Sequence, residues 1–292
     1  MQAGDLPKSF ILFSWLTYVA VVLCSDALPG SSVFRVNHQV VQEASELSLN
    51  FWLILPLLRP EQAPVLHPLL ESTFQVVVSW AMLFFGFLSD DWGRHWRKEY
   101  HRLCRQQLPM WIFLVGSALL TNVFYLPYLV IRRPLTSVTV PTNQASPKGV
   151  SSERNEQKDE MTAQSSAPDW LLRVGESRAL PLLLSTMVLV AVFWAFGGRP
   201  TYPAAPPFSI DRLTTYAHDI LQKDRLAVSF PIDMLVFAIF QAVLVPDDMR
   251  RRGIDPQSTQ GKRWIHRARW IPFFGVAWYL WSRPRLPDWP KS

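Results

Sequence analysis

The sequence predicts an all-α fold, a polytopic transmembrane helix bundle of about six spans with one further short or re-entrant segment. Three observations predict it. Residues 72–89, 106–131 and 179–198 carry no charged side chain, and a bilayer core of roughly 30 Å needs about 20 apolar residues in a helix. Tryptophans gather where these runs end, at Trp92, Trp96, Trp111, Trp264, Trp270, Trp281 and Trp289, as rings with one polar edge do at a membrane interface. Basic residues flank the runs, as in Arg94-His95-Trp96-Arg97-Lys98 and Arg250-Arg251-Arg252, giving a formal net charge of +6. Anionic headgroups and topology explain that placement, so the lipid bilayer is the expected partner and nucleic acid is not.

The first span is expected over residues 10–28, behind Lys8. Ser25-Asp26-Ala27 resembles a signal cleavage site, but the leading segment holds Asp5 beside one lysine, so a retained helix is expected. A polar stretch follows. The apolar piece Phe51–Leu58 is closed by Arg59-Pro60 and is too short to cross alone. It reads as the end of a half-polar helix or as a re-entrant segment, which lipid tolerates only under a cover of protein. The second span covers residues 69–88 and ends in Ser89-Asp90-Asp91. A basic loop leads to the third, residues 108–131, with Pro109 and Pro127 near its ends, where proline disturbs a helix least.

Residues 136–168 form a different polymer, rich in Ser, Thr, Gln, Asn, Lys and Glu. Such composition buries too little to offset chain entropy. It separates an N-terminal membrane half (1–134) from a C-terminal half (171–292), with the linker at 135–170. The fourth span is expected over residues 179–196, before Gly197-Gly198. Ser209 then reads as the cap of a short amphipathic helix lying in the interface. Its apolar face is Ile210, Leu213, Ala217, Ile220 and Leu221, with Asp211, Arg212, His218 and Asp219 elsewhere. The fifth span covers residues 226–245, and the sixth, short one residues 270–282.

The halves echo each other. One span ends in Asp90-Asp91, another in Asp247-Asp248, and each pair opens a basic loop. The next span starts with Trp111-Ile112 or Trp270-Ile271 and finishes with Tyr128-Leu129-x-x-Arg132 or Tyr279-Leu280-x-x-Arg283. An odd number of intervening spans would make the echo an inverted 3+3 repeat, as in many transporters. Shared end chemistry of membrane helices is the plainer account.

Several residues invite chemical roles. Asp233 lies inside a span, two residues after Pro231. An acid there faces a bundle interior or a wet cavity and reads as a proton site, a cation ligand or a structural carboxylate. Glu71, near His67, reads as its acid–base partner or as a hydrated helix start. Asp90, Asp91, Asp247 and Asp248 lack the third acid of a diphosphate-binding motif, and the arginines that follow suit edge-of-membrane ion pairs; Arg132 and Arg283 complete that set. Gln75, Asn122 and Gln241 suit helix bridging better than pigment ligation. None of the six histidines is mid-span, which excludes a haem held between helices. The two cysteines, Cys24 and Cys104, make no disulfide framework and no metal pair. No cofactor or metal is indicated.

The stretch from Phe230-Pro231-Ile232-Asp233 through Asp247-Asp248-Met249-Arg250-Arg251-Arg252-Gly253, Trp270-Ile271-Pro272-Phe273-Phe274-Gly275 and Tyr279-Leu280-x-x-Arg283-Pro284 resembles an uncharacterised family of polytopic membrane proteins of cyanobacteria and plastids. The likeness covers about residues 226–286. It implies a thylakoid or plasma membrane of a photosynthetic cell and no established activity. Three functions are open at this stage. One is an assembly or lipid- and pigment-binding protein. Another is an embedded isoprenoid or carotenoid enzyme using Asp233 and Glu71. The third is a small transporter.

Overall fold

The structure, a computed structural model, describes residues 7–35, 38–89, 111–132, 169–200, 202 and 206–286. The acids Asp90 and Asp91, Cys104, the first basic loop and most of the polar linker lie outside the described residues. Within them the chain is helical throughout, without a strand.

The longest helix is the organising one. Its start is fixed by local chemistry: His67 is the N-cap, its Nδ1 accepting the Leu69 N–H at 3.2 Å, and Pro68 occupies the first helical position. Proline fits there because that N–H has no partner inside a helix. Numbered in chain order, this is α4 (Pro68–Leu88). Before it come α1 (Lys8–Tyr18), α2 (His38–Leu49) and α3 (Ile54–Leu58). After it come α5 (Trp111–Leu120), α6 (Asn122–Ile131), α7 (Asp169–Gly175) and α8 (Ala179–Gly197). The chain continues with α9 (Asp211–Thr215), α10 (Arg225–Phe240), α11 (Val245–Arg251), α12 (Thr259–Trp270) and α13 (Phe274–Ser282).

Helix α4 packs most extensively on α8 and also touches α5, α7, α10 and α13. Its aromatic side chains fill the centre. Phe84 stacks on Tyr125 of α6 with ring centres 4.3 Å apart, Trp80 meets Phe237 of α10 at 5.9 Å, and Phe87 stacks on Tyr279 of α13 at 5.9 Å. Such pairs add about 0.5–1.5 kcal/mol each beyond their buried area.

Polarity runs opposite to that of a water-soluble bundle. Glu71, Gln75, Asn50, Asn122, Arg212 and Gln241 are fully buried, whereas Phe13, Leu183, Leu189, Phe193, Leu235 and Trp278 are exposed. Two helices, α4 and α8, are long and apolar enough to cross a membrane. A third qualifies if α10 and α11, bent by 47° across a short break, count as one.

The remaining expected spans are interrupted, each for a physical reason. Residues 10–28 leave α-helical geometry at Val19 and continue as a π-helical turn, Val19–Cys24. The uncharged run 106–131 is divided at Thr121, whose φ of 42° lies in a region α-helices exclude. The last span is only nine residues, α13, because Phe273 (φ 56°) turns the chain between it and α12. Composition shows where a chain is apolar. These breaks are set by hydrogen bonds from other helices, described below.

The piece Phe51–Leu58 folds back without crossing. It is a 3-10 turn, Phe51–Leu53, joined to α3 through two left-handed residues, Trp52 and Leu53. Gln75 of α4 pins it from both sides: its Oε1 accepts the Trp52 N–H at 2.7 Å and its Nε2 donates to the Asn50 carbonyl at 2.9 Å. Protein thus supplies the partners that lipid cannot.

The interfacial helix after Ser209 is shorter than expected and turned over. It comprises α9 and a π-helical turn, Tyr216–Ile220. The N-cap is Ile210, without a side-chain cap, and not Ser209 as expected; the Ser209 Oγ instead accepts the Asp211 N–H at 3.0 Å in a local turn ahead of the helix. Arg212, read from the sequence as lying away from the apolar face, is fully buried, while Ile210 and Leu213 are exposed. The carbonyls at the end of α8 draw the guanidinium inward.

Candidate functional site: buried carboxylates and their arginines

Three carboxylate clusters hold the charged residues singled out in the sequence, apart from Asp90 and Asp91, which lie outside the described residues. The first surrounds Glu71, one turn inside α4. Arg199 donates to it twice, from Nη2 to Oε1 at 2.7 Å and from Nε to Oε2 at 3.3 Å. Trp194 Nε1 of α8 donates at 2.7 Å and Asn50 Nδ2 at 2.6 Å. A two-pronged arginine contact fixes orientation as well as charge. Arg199 also donates to the Pro64 carbonyl at 2.7 Å, as does Asn50 Nδ2 at 3.0 Å. Glu71 therefore ties α8 and the folded-back segment to α4.

The Glu71 backbone N–H donates to the His67 carbonyl at 3.0 Å, but the His67 ring makes no hydrogen bond to the Glu71 carboxylate. Its Nδ1 accepts from Leu69, so its proton sits on Nε2, 3.2 Å from Thr215 Oγ1. Burial, helped by the nearby Arg212 charge, lowers the His67 pKa to about 4. The expected Glu71–His67 pair is thus divided between two networks, and the alternative of a hydrated helix start fails as well: Glu71 is fully buried because Arg199, Trp194 and Asn50 take the place of water around its carboxylate.

The second cluster surrounds Asp233 on α10. Its Oδ1 accepts from Tyr18 of α1 at 2.8 Å and from Asn122 Nδ2 of α6 at 2.7 Å. Asn122 also approaches the Asp233 backbone carbonyl at 3.3 Å. Asn122 can do so because it is the first residue of α6, directly after the break at Thr121. The division of the uncharged run thus serves this carboxylate. Asp233 and Glu71 share no hydrogen-bond partner: Asp233 is held by α1 and α6, Glu71 by Asn50, α8 and Arg199.

The third cluster joins the ends of five helices. Asp247 pairs with Arg132 at 2.8 Å and with Arg251 at 3.1 Å. Asp248 pairs with Arg252 at 2.8 Å and Arg283 at 3.1 Å, and accepts from Tyr279 Oη at 2.7 Å. Glu176 adds contacts to Arg252 at 2.6 Å and Arg283 at 3.0 Å. Arg252 also donates a short bond to the Pro284 carbonyl. Burial alone would raise the Asp248 pKa, but the guanidiniums of Arg283 and Arg252 hold it below the usual carboxylate range. Burial works against the charge on Arg252, and the carboxylates of Glu176 and Asp248 raise its pKa above the usual value. Asp247, Asp248, Arg132 and Arg283 are thus brought together as ion pairs.

Arginines also close helix ends. The last carbonyls of a helix lack internal partners, and a cation there meets the negative end of the helix dipole. Arg212 donates to the carbonyls of Ala195 at 3.1 Å and Gly198 at 2.6 Å, at the end of α8. Arg225 reaches those of Val22, Ser25 and Leu28 at 3.0, 2.8 and 3.0 Å, beyond α1. Arg283 reaches those of Gly86 at 2.6 Å and Gly175 at 2.9 Å, ending α4 and α7.

The helix-bridging role expected of Gln75, Asn122 and Gln241 is present in each. Gln241 accepts the Phe273 N–H at 3.1 Å and donates to the Ile271 carbonyl at 3.3 Å, which holds the turn before α13. Arg199, Arg212, Arg225 and Glu176 were not singled out in the sequence. Each lies at the end of an apolar run or in a polar connection, where a charge ordinarily reads as solvated.

Comparisons with protein-family models, with curated proteins and with solved structures find no match to this chain.

Proposed function

We propose that this chain is a multi-pass integral membrane protein that works by binding, as an assembly factor or a lipid- or pigment-binding protein, and not by catalysis. One observation carries this reading. Both carboxylates inside the apolar layer, Asp233 and Glu71, are held by donors from the opposite half of the chain: Tyr18 and Asn122 for Asp233, Trp194 and Arg199 for Glu71. Buried charges used in this way join helices, and removing one partner is costly. The sequence resemblance supports a photosynthetic membrane as the location, and the exposed apolar faces of α1, α8 and α10 support a bundle of more than the two or three continuous spans.

The test is Asp233→Leu and Glu71→Leu in the native host, scoring protein abundance together with pigment and lipid profiles. Loss of the protein is the expected result. Normal abundance with a missing or accumulated lipid or pigment would overturn this reading and support an embedded isoprenoid or carotenoid enzyme. The position of Asp233 between helices of the two halves also favours a small transporter. That reading requires normal abundance, an unchanged lipid profile and a defect in solute movement.

A further inference from the structure

The Glu71 and Asp247–Asp248 networks pair many of the buried arginines with carboxylates. The basic residues of α12 are different. Lys262, His266 and Arg269 are exposed and follow one another at spacings of four and three, so they share one face of the helix. No ion pair joins them to a carboxylate among the described residues. Trp264 and Ala268, on the opposite face, are buried, with Trp264 packed edge-on against Tyr279 of α13 at 5.6 Å. The basic face is therefore presented outward by a rigid support.

Beside it lies a cavity of about 170 Å3 lined by Gln257, Lys262, Ile265, His266, Arg269 and Trp270. The nearby Asp255 carboxylate is engaged by the Gln257 N–H at 2.9 Å. Trp270, itself part of the lining, leads along the chain into a run of exposed apolar side chains. Trp270, Ile271, Phe274, Trp278 and Trp281 are all exposed. Gln241 holds the turn that sets this wall, and Arg267 lies over the Trp278 ring at 5.9 Å. A cationic recess that borders an aromatic and aliphatic wall matches an amphiphile carrying a negative head.

We propose that this recess binds the phosphodiester headgroup of an anionic membrane lipid. Lys262, His266 and Arg269 contact the phosphate oxygens, and the acyl chains lie along Trp270, Ile271 and Phe274. Phosphate is suited to a site with several donors on one helix face because its oxygens accept from more than one cation at once. An exposed indole ring such as that of Trp270 favours the headgroup boundary of a bilayer. The inference rests on the reading above that the chain resides in a bilayer.

The experiment uses the full chain purified in mild detergent and reconstituted into nanodiscs of phosphatidylcholine with or without phosphatidylglycerol. Lipid retention is read by native mass spectrometry, and inorganic phosphate is titrated separately. The expected result is selective retention of phosphatidylglycerol. The Lys262→Gln/Arg269→Gln double variant should weaken it by about 30-fold, because each basic residue near an anionic surface contributes about a factor of five. Trp270→Ala should weaken retention while leaving charge unchanged. Equal retention of both lipids by a well-inserted protein overturns the site alone. Inorganic phosphate bound as tightly as the lipid overturns the lipid as occupant. Failure to insert into nanodiscs overturns the membrane reading itself.

Discussion

Arg132 stands 2.8 Å from Asp247. Its counterpart in the sequence echo, Arg283, lies 3.1 Å from the next residue, Asp248. Two arginines that end two separate helices, each four residues after a tyrosine, thus converge on consecutive carboxylates of α11. The two sites differ in their surroundings. Arg283 also serves Glu176 and two helix-end carbonyls.

Arg283→Met should therefore be severely destabilising. It leaves Asp248 with Arg252 and the Tyr279 hydroxyl, leaves Glu176 with Arg252, and abandons the carbonyls of Gly86 and Gly175. Breaking a buried ion pair from one side costs about 3–5 kcal/mol. Thermal unfolding of the detergent-solubilised variant measures this. A melting temperature within two degrees of wild type would show that the cluster is hydrated and weak.

The same cluster sets an acid limit. The Asp248 pKa is depressed in the folded state, so its contribution is fully present above the ordinary carboxylate pKa of about 4. The contribution is lost as pH falls through the depressed folded value. His67 has the same sign at a higher pH. Its folded pKa of about 4 lies below the ordinary value of 6.5, so the unfolded chain takes up the proton first. Stability should decline as pH falls from about 6.5 to about 4 and, from Asp248, further below that. His67→Gln should flatten the upper part of a plot of melting temperature against pH and leave the lower part unchanged.

Asp233→Leu and Asp233→Asn should separate charge from hydrogen bonding. Leucine abandons the Tyr18 hydroxyl and the Asn122 amide, at about 1–3 kcal/mol for each donor left without a partner. Asparagine keeps an acceptor oxygen and should cost less than half as much. Chemical denaturation of the two variants measures the difference. Equal losses would mean that the negative charge, and not the acceptor, holds α1, α6 and α10 together.

Gly275 lies where α13 presses on α12: a Cβ there would overlap the Arg267 carbonyl oxygen and crowd the Ala268 backbone. Neither contact can move as a flexible side chain would. Gly275→Ala should cost about 1–3 kcal/mol, as overpacking generally does. It should also shift the fluorescence of the exposed Trp278. Unchanged stability would show that the two helices slide freely.

The sequence made the apolar layer legible because bilayer thickness leaves a direct mark on composition. It made α4 and α8 legible as whole helices, and the helix-bridging roles of Gln75, Asn122 and Gln241. The ion pairing of Asp247 and Asp248 was legible from the arginines that follow them. What it concealed was interruption. Thr121 reads as one polar residue in an apolar run, yet the helix breaks there. The reason is Asp233, 111 positions away from Asn122. Arg212 was hidden in the same way, since nothing local reveals that the end of α8 needs a donor. Both failures concern hydrogen bonds between distant segments, which neither periodicity nor propensity encodes.

Glu71 and Arg199 are separated by 128 positions. At translation rates of about 5–20 residues per second, the carboxylate is made on the order of ten seconds before its guanidinium exists. Under the proposed membrane residence, α4 carries during that interval an acid without its guanidinium, which lipid disfavours. The same residence makes release of α4 into the bilayer depend on synthesis of the second half. Nascent chains arrested before residue 199 should remain extractable by alkaline carbonate. Those arrested well beyond it should resist extraction, and Glu71→Gln should remove the difference.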